Sequence, residues 1–94
     1  MIIYKYPVKY YGSWSLKLSK NYKILGIKMQ CNKPYIWIMV DKDSENFVWV
    51  NFETFPTGVE TQTDELSPLK YIDSFQPEEN LIYHIFVWTY DIKS

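Results

Sequence analysis

The chain has 94 residues, a formal net charge of −1, 47% hydrophobic residues and 19% aromatic residues. This composition excludes a disordered chain, and the small net charge argues against binding of duplex nucleic acid, which needs many phosphate contacts. One cysteine, Cys31, leaves no intrachain disulfide, and no apolar run is long enough to cross a membrane. We therefore expect a single domain, residues 1–94, in the cytoplasm and without a membrane partner.

The charges are segregated along the chain, and all ten basic residues are lysines. Residues 1–40 contain seven of the lysines and no acid, whereas residues 41–94 contain three lysines and all eleven acids. Either the folded sheet mixes these halves and cancels their charges, or the molecule has a basic face and an acidic face. The second arrangement favours an anionic ligand or association between copies. Without arginine, an anion must be met by ammonium, hydroxyl and backbone N–H groups.

Two short segments at the start of the chain have strand patterns. Residues 2–8 alternate loosely, and Pro7 removes a ladder donor, which predicts an edge strand. Residues 13–18 alternate cleanly, as expected for a half-exposed antiparallel strand. The residues predicted to point inward are Trp14, Leu16 and Leu18, and those predicted to point outward are Ser13, Ser15 and Lys17.

The clearest signal is a hairpin formed by residues 22–30 and 35–40, with the polar turn of residues 31–34 between them. Alternation in the first run puts Leu25, Ile27 and Met29 on one face. The second run is apolar on both faces, which is typical of the central strand of a sheet.

Residues 47–55, 69–75 and 81–90 are predicted to be further strands, and residues 61–68 a polar loop. The sum is an all-β fold, an antiparallel sandwich or barrel of about seven strands with little or no helix. The predicted core includes Leu25, Ile27, Met29, Ile36, Ile38, Val40, Val50, Phe52, Ile82 and Phe86.

The sequence offers little for catalysis. The one histidine, His84, shares a strand face with Phe86 and Trp88, which favours a structural, hydrogen-bonded role. There is no nucleophile motif, no glycine-rich phosphate loop and no paired carboxylates outside turns. We therefore predict a protein that is not an enzyme and that has no catalytic residue, no metal site and no cofactor.

The basic half suggests a binding site instead. Lys17 and Lys28 lie on the polar faces of their strands, and the two lysines line up with Lys5 if those strands are neighbours. Lysines interleaved with aromatic rings hold a nucleotide or a single strand, with charge for phosphates and rings for bases. The alternative is a lysine-coated surface over an aromatic core, with Trp14 inside that core. The candidate ligand-binding residues are Lys5, Tyr6, Tyr10, Trp14, Lys17 and Lys28.

Several short motifs resemble those of a family of small, uncharacterised bacteriophage and prophage proteins. They are KILGIKMQ at residues 23–30, IWIMVD at 36–41, TG at 57–58, YIDSF at 71–75 and IYHIF at 82–86, after an opening that contains Ile2, Tyr4, Lys5 and Tyr6. The chain departs from the family pattern at residues 19–21, where Pro and Gly are usual, and at Val59, where His is usual. The resemblance implies a phage source and an all-β fold, with no established activity.

Together these observations lead to the hypothesis of a phage-encoded binding protein that antagonises host defence by sequestering an anionic nucleotide-type signal in the bacterial cytoplasm. One alternative is an inhibitor that binds a host defence protein, as anti-CRISPR proteins do, and another is a minor structural or morphogenesis part. The many aromatic residues also predict a homo-oligomer, most simply a dimer.

Overall fold

The structure, a computed structural model, describes residues 1–58 and 68–89. Within those ranges there are seven strands and no helix, and therefore no membrane-crossing helix. The strands are β1 (Ile2–Pro7), β2 (Gly12–Ser19), β3 (Tyr22–Gln30), β4 (Lys33–Val40), β5 (Phe47–Pro56), β6 (Leu69–Glu78) and β7 (Leu81–Trp88). Apart from Pro68, the loop predicted at residues 61–68 lies outside the described residues, as does Tyr90.

The strands form two antiparallel sheets. One sheet has three strands in the order β1-β4-β3, and the other has four in the order β2-β5-β7-β6. No ladder joins the two sheets in the part of the chain that the structure describes, so the fold is a sandwich rather than a closed barrel. The all-β prediction is confirmed, and so are the edge position of β1 and the central position of β4.

The buried faces of both sheets meet in one hydrophobic core. Trp14 of β2 stacks on Phe52 of β5 with 4.5 Å between ring centroids, and its Nε1 donates to Thr54 Oγ1 at 2.8 Å. Burying each large apolar side chain contributes about 1.5–3 kcal/mol. Six residues predicted for the core are buried: Ile27, Ile36, Ile38, Val40, Val50 and Phe52.

Four residues predicted for the core are not buried. Leu25 is 44% exposed because it is the extra residue of a β-bulge between Ile24 and Gly26, which lets Ile24 and Ile27 both face the core. Met29 is exposed close to the turn of the hairpin, where it pairs with Pro34. In β7 the inward row is Tyr83, Ile85 and Val87, so Ile82 is exposed and Phe86 is only half-buried.

Two turns are shorter than the sequence predicts. Cys31 and Asn32 have φ angles of 52° and 66°, so they form the two-residue loop of the β3–β4 hairpin, and Pro34 is buried within β4. Asn80, with a φ of 72°, lies in the turn between β6 and β7, which extends β6 beyond its predicted end at residue 75 to Glu78.

The bulge in β3 also connects the two sheets. The Ile27 N–H donates to Asp73 Oδ2 at 3.0 Å, and the Ser74 N–H donates to Asp73 Oδ1 at 2.8 Å. Each oxygen of this carboxylate on β6 therefore accepts one backbone N–H. This contact fixes the three-stranded sheet against the four-stranded sheet at the corner where β3 approaches β6.

Candidate functional site

The lysines of the predicted site lie on different sheets. Lys17 is on the outward face of β2, which pairs with β5, whereas Lys28 is on the outward face of β3, which pairs with β4. The predicted row of lysines is therefore not formed, because β2 and β3 are neighbours in sequence and not in a sheet. Lys5 does share a face with Lys28, and its Nζ donates to the Gln30 side chain.

The aromatic residues of the predicted site also occupy separate places. Trp14 is 6% exposed, so it belongs to the core and has no ring face for a ligand. Tyr10 packs edge-on against Phe75, with ring centroids 5.5 Å apart. Tyr6 is half-buried on β1, and this burial raises the pKa of its hydroxyl, with a smaller contribution from Tyr4.

A groove of about 830 Å³ lies at one end of the sandwich, and sequence reasoning missed it. Its floor consists of apolar side chains from β5 and β7: Val48, Val50 and Val87. Exposed lysines from three places in the chain form its rim: Lys20, Lys23 and Lys70.

The position of this groove follows from the sheet register. The ladder between β5 and β7 runs only from Phe52 to Pro56 of β5, so the first half of β5 extends past it. The groove lies beside this extension, between β5 and the edge strands β3 and β6. The apolar floor of the groove is thus accessible to a ligand at the end of the four-stranded sheet where β5 has no pairing with β7.

The groove combines positive charge with aromatic rings. Among the described residues its lining contains three lysines and no carboxylate, and none of these ammonium groups forms an ion pair there. Tyr22 and Trp49 also line it, with 36% and 67% of their surfaces exposed. Such a site can meet an anionic group with ammonium charge and a planar group with a ring face.

One local sequence signal could have indicated this groove. Lys20, Tyr22 and Lys23 fall within four consecutive residues at the connection between β2 and β3. Lys70 gave no signal, because it lies in the acidic half of the chain and reaches the rim only through the pairing of β6 with β7.

A family model described as "Domain of unknown function (DUF7352)" matches residues 1–93. The chain belongs to this family. This match confirms one part of the resemblance inferred from the motifs, namely that the chain belongs to an uncharacterised family. Comparisons with curated proteins and with solved structures gave no match.

In this DUF7352 chain, His84 is held by hydrogen bonds at both ring nitrogens. Its Nε2 lies 2.6 Å from Thr57 Oγ1, and its Nδ1 lies 3.0 Å from the Tyr71 hydroxyl. Thr57 Oγ1 donates its proton to the Ile82 carbonyl at 3.0 Å, so His84 Nε2 must carry the proton it shares with Thr57. Both ring nitrogens are therefore engaged within the fold, which fits the structural role predicted for His84.

Residues 1–58 and 68–89 contain no group of three His, Cys, Asp or Glu side chains placed to hold a metal ion. The acidic residues between β4 and β5 instead organise their own loop. Asp41 Oδ1 accepts the Asp43 N–H at 3.1 Å, and the Ser44 N–H donates to the Asp41 carbonyl at 3.2 Å.

Proposed function

We propose that this protein binds and sequesters a small anionic ligand of nucleotide type in the groove between β3, β5 and β6. The observation that carries this proposal is the rim of Lys20, Lys23 and Lys70 around an apolar floor, without a carboxylate among the described lining residues. Ammonium groups that lack carboxylate partners are free to meet phosphates.

The size of the groove supports a ligand of this class. A volume of about 830 Å³ falls within the range of about 300–1,000 Å³ that is typical of small-molecule sites. A base that stacks on Tyr22 adds about 1–3 kcal/mol of binding free energy. The lysines hold the phosphates at the rim, and the ring surfaces hold the base.

The biological setting in this proposal is a phage protein that antagonises host defence. It is supported by the resemblance of the motifs at residues 23–30, 36–41 and 82–86 to phage and prophage proteins. A protein that sequesters a nucleotide signal lowers its free concentration by binding alone. It therefore needs a pocket and no reacting groups.

Isothermal titration calorimetry with a panel of cyclic dinucleotides and ADP-ribose derivatives tests this function. We expect saturable heat with at least one ligand, and weaker binding as the salt concentration rises, because phosphate–ammonium attraction is screened. In the Lys23→Ala/Lys70→Ala variant this binding should fall strongly.

The control is Lys9→Ala/Lys42→Ala, which also removes two lysines, one from the connection between β1 and β2 and one from the exposed loop between β4 and β5. Equal weakening by the control variant would contradict the groove as the site. Absence of heat with every ligand, together with a stoichiometric complex with a host defence protein, would favour an inhibitor of that protein instead.

A further inference from the structure

The outer face of the three-stranded sheet carries two aromatic rings side by side. Tyr35 and Trp37 both point outward from the central strand β4, two residues and therefore about 7 Å apart along the strand. Lys5 of β1 lies opposite Trp37, and Lys28 of β3 lies opposite Tyr35. We call this surface, formed by Lys5, Lys28, Gln30, Tyr35 and Trp37, the sheet platform.

The platform is strongly basic for a protein with a net charge of −1. Strands β1, β3 and β4 contain four lysines and no acidic residue. The Lys5 ammonium lies 4.6 Å from the centroid of the Tyr35 ring and donates to the Gln30 side chain, so its charge is held above the aromatic surface. An anion that approaches this face meets no carboxylate from these three strands.

A cavity of about 390 Å³ adjoins Trp37, lined also by Ile3, Leu25, Gly26 and Lys28. Gly26 is paired with Trp37 across the sheet and has no side chain, which leaves space beside the indole. Trp37 Nε1 is out of contact with solvent and has no hydrogen-bond partner among the described residues. A buried N–H without an acceptor is costly, so the indole gains a hydrogen bond if it turns towards a ligand acceptor in this cavity.

We propose that the sheet platform binds single-stranded nucleic acid, with consecutive bases stacked on Tyr35 and Trp37. Lys5 and Lys28, together with Lys33 at the start of β4, meet the backbone phosphates. The strand must be single because paired bases do not offer their faces to a protein ring. A base or phosphate oxygen can accept the Trp37 N–H once the indole turns towards the cavity, whereas the acyl chains of a membrane cannot.

Fluorescence anisotropy with labelled oligothymidylate and oligoadenylate of about 12 nucleotides tests the platform. We expect saturable binding that is tighter than binding to a duplex of the same length. Three phosphate contacts predict that log K falls with log salt at a slope of about −2, which is about a 20-fold loss between about 50 and about 200 mM salt.

Two variants separate charge from stacking. In Lys5→Gln/Lys28→Gln the affinity should fall and the slope should change from about −2 to about −0.7, because two phosphate contacts are removed. In Tyr35→Leu the affinity should fall about 5-fold or more with an unchanged slope, because a stacked base contributes no counterion release. The melting temperature of each variant, followed by circular dichroism, establishes that it is folded.

The control is Lys17→Gln/Lys42→Gln, which removes the same charge from the other sheet and from a loop, and both affinity and slope should stay unchanged. The proposal is overturned by equal losses in the two double variants, or by absence of binding to every single strand at about 50 mM salt. Tighter binding to duplex overturns it as well, and so does binding to phosphatidylglycerol vesicles without binding to oligonucleotides.

Discussion

Gly26 has a backbone conformation that favours glycine, with a φ of 146°, at the bulge of β3. A Cβ atom built on it would lie 3.3 Å from Asp73 Oδ2, the oxygen that accepts the Ile27 N–H. The small residue therefore lets the carboxylate of β6 approach the bulge. A side chain at this position would crowd the contact between the two sheets.

We predict that Gly26→Ala lowers the free energy of unfolding by about 1–3 kcal/mol, since the alanine must adopt a strained φ and crowd Asp73. Urea unfolding followed by circular dichroism measures this loss. Leu25→Ala is the control, because it shortens a partly exposed side chain in the same bulge and should cost less. A larger loss for Leu25→Ala would show that packing of the bulge, not its conformation, is what matters.

The raised pKa of Tyr6 leads us to predict that the stability of the fold depends on pH. Burial raises the pKa of its hydroxyl above the usual value of 10.0, and the nearby Tyr4 raises it further. The folded state therefore keeps the proton more tightly than the unfolded state. This contribution to stability is fully present below about pH 10 and is lost as the pH rises through the raised pKa.

The measurement compares wild type with Tyr6→Phe in urea unfolding at about pH 8 and about pH 11. The other tyrosines and the lysines are common to both proteins, so the difference between the two isolates Tyr6. Wild type should lose more stability than Tyr6→Phe between these pH values. An equal loss in both proteins would contradict the prediction.

At the scale of elements, β4 organises the three-stranded sheet because it pairs on both sides and sends alternate residues into the core. We predict that Ile38→Ala, at a side chain with 0% exposure, lowers the free energy of unfolding by about 2–5 kcal/mol through lost burial and a cavity. Met39→Ala is the matched control, since Met39 points to the outer face of the same strand. Similar losses in the two variants would argue against β4 as a core strand.

The strands themselves could be predicted because their signals are local. Alternation placed Trp14, Leu16 and Leu18 on the inward face of β2, and an apolar run on both faces identified β4 as central. The bulge at Leu25 could not be predicted, because the residues on either side of it still alternate in the sequence. Because of this extra residue, Ile24 rather than Leu25 points to the core in the first half of β3.

The candidate site depends on pairings between distant segments, which the sequence does not encode locally. Lys17 and Lys28 were expected to line up, but β2 pairs with β5, about thirty residues along the chain, rather than with β3. The groove exists because the ladder between β5 and β7 stops at Phe52. Neither its place nor its lysine rim follows from the properties of any single strand.

For the molecule as a whole, the outer face of the four-stranded sheet suggests association between copies. Trp49 is 67% exposed and Phe47 is 54% exposed, with the Lys17 ammonium 5.3 Å from the centroid of the Phe47 ring. Exposed aromatic clusters of this kind are typical of protein interfaces. We therefore predict a homodimer that buries this face.

Sedimentation velocity at micromolar concentration measures the oligomeric state. Wild type should sediment as a dimer, and Trp49→Ser should shift it towards monomer. Tyr11→Ser is the control, because Tyr11 is also 66% exposed but lies in the connection between β1 and β2. A wild-type protein that is only monomeric at this concentration would contradict the prediction.

The route of the chain between the sheets has a consequence for how the protein folds. The chain passes from one sheet to the other between β1 and β2, between β2 and β3, and again between β4 and β5. Only the β3–β4 and β6–β7 hairpins can form from adjacent residues, and each remaining ladder must close a longer loop. During synthesis on the ribosome, β2 cannot pair until β5 has been made. Strand β5 in turn cannot pair on its second side until β7 has been made. Folding should therefore be slow and all-or-none, with the two hairpins formed first.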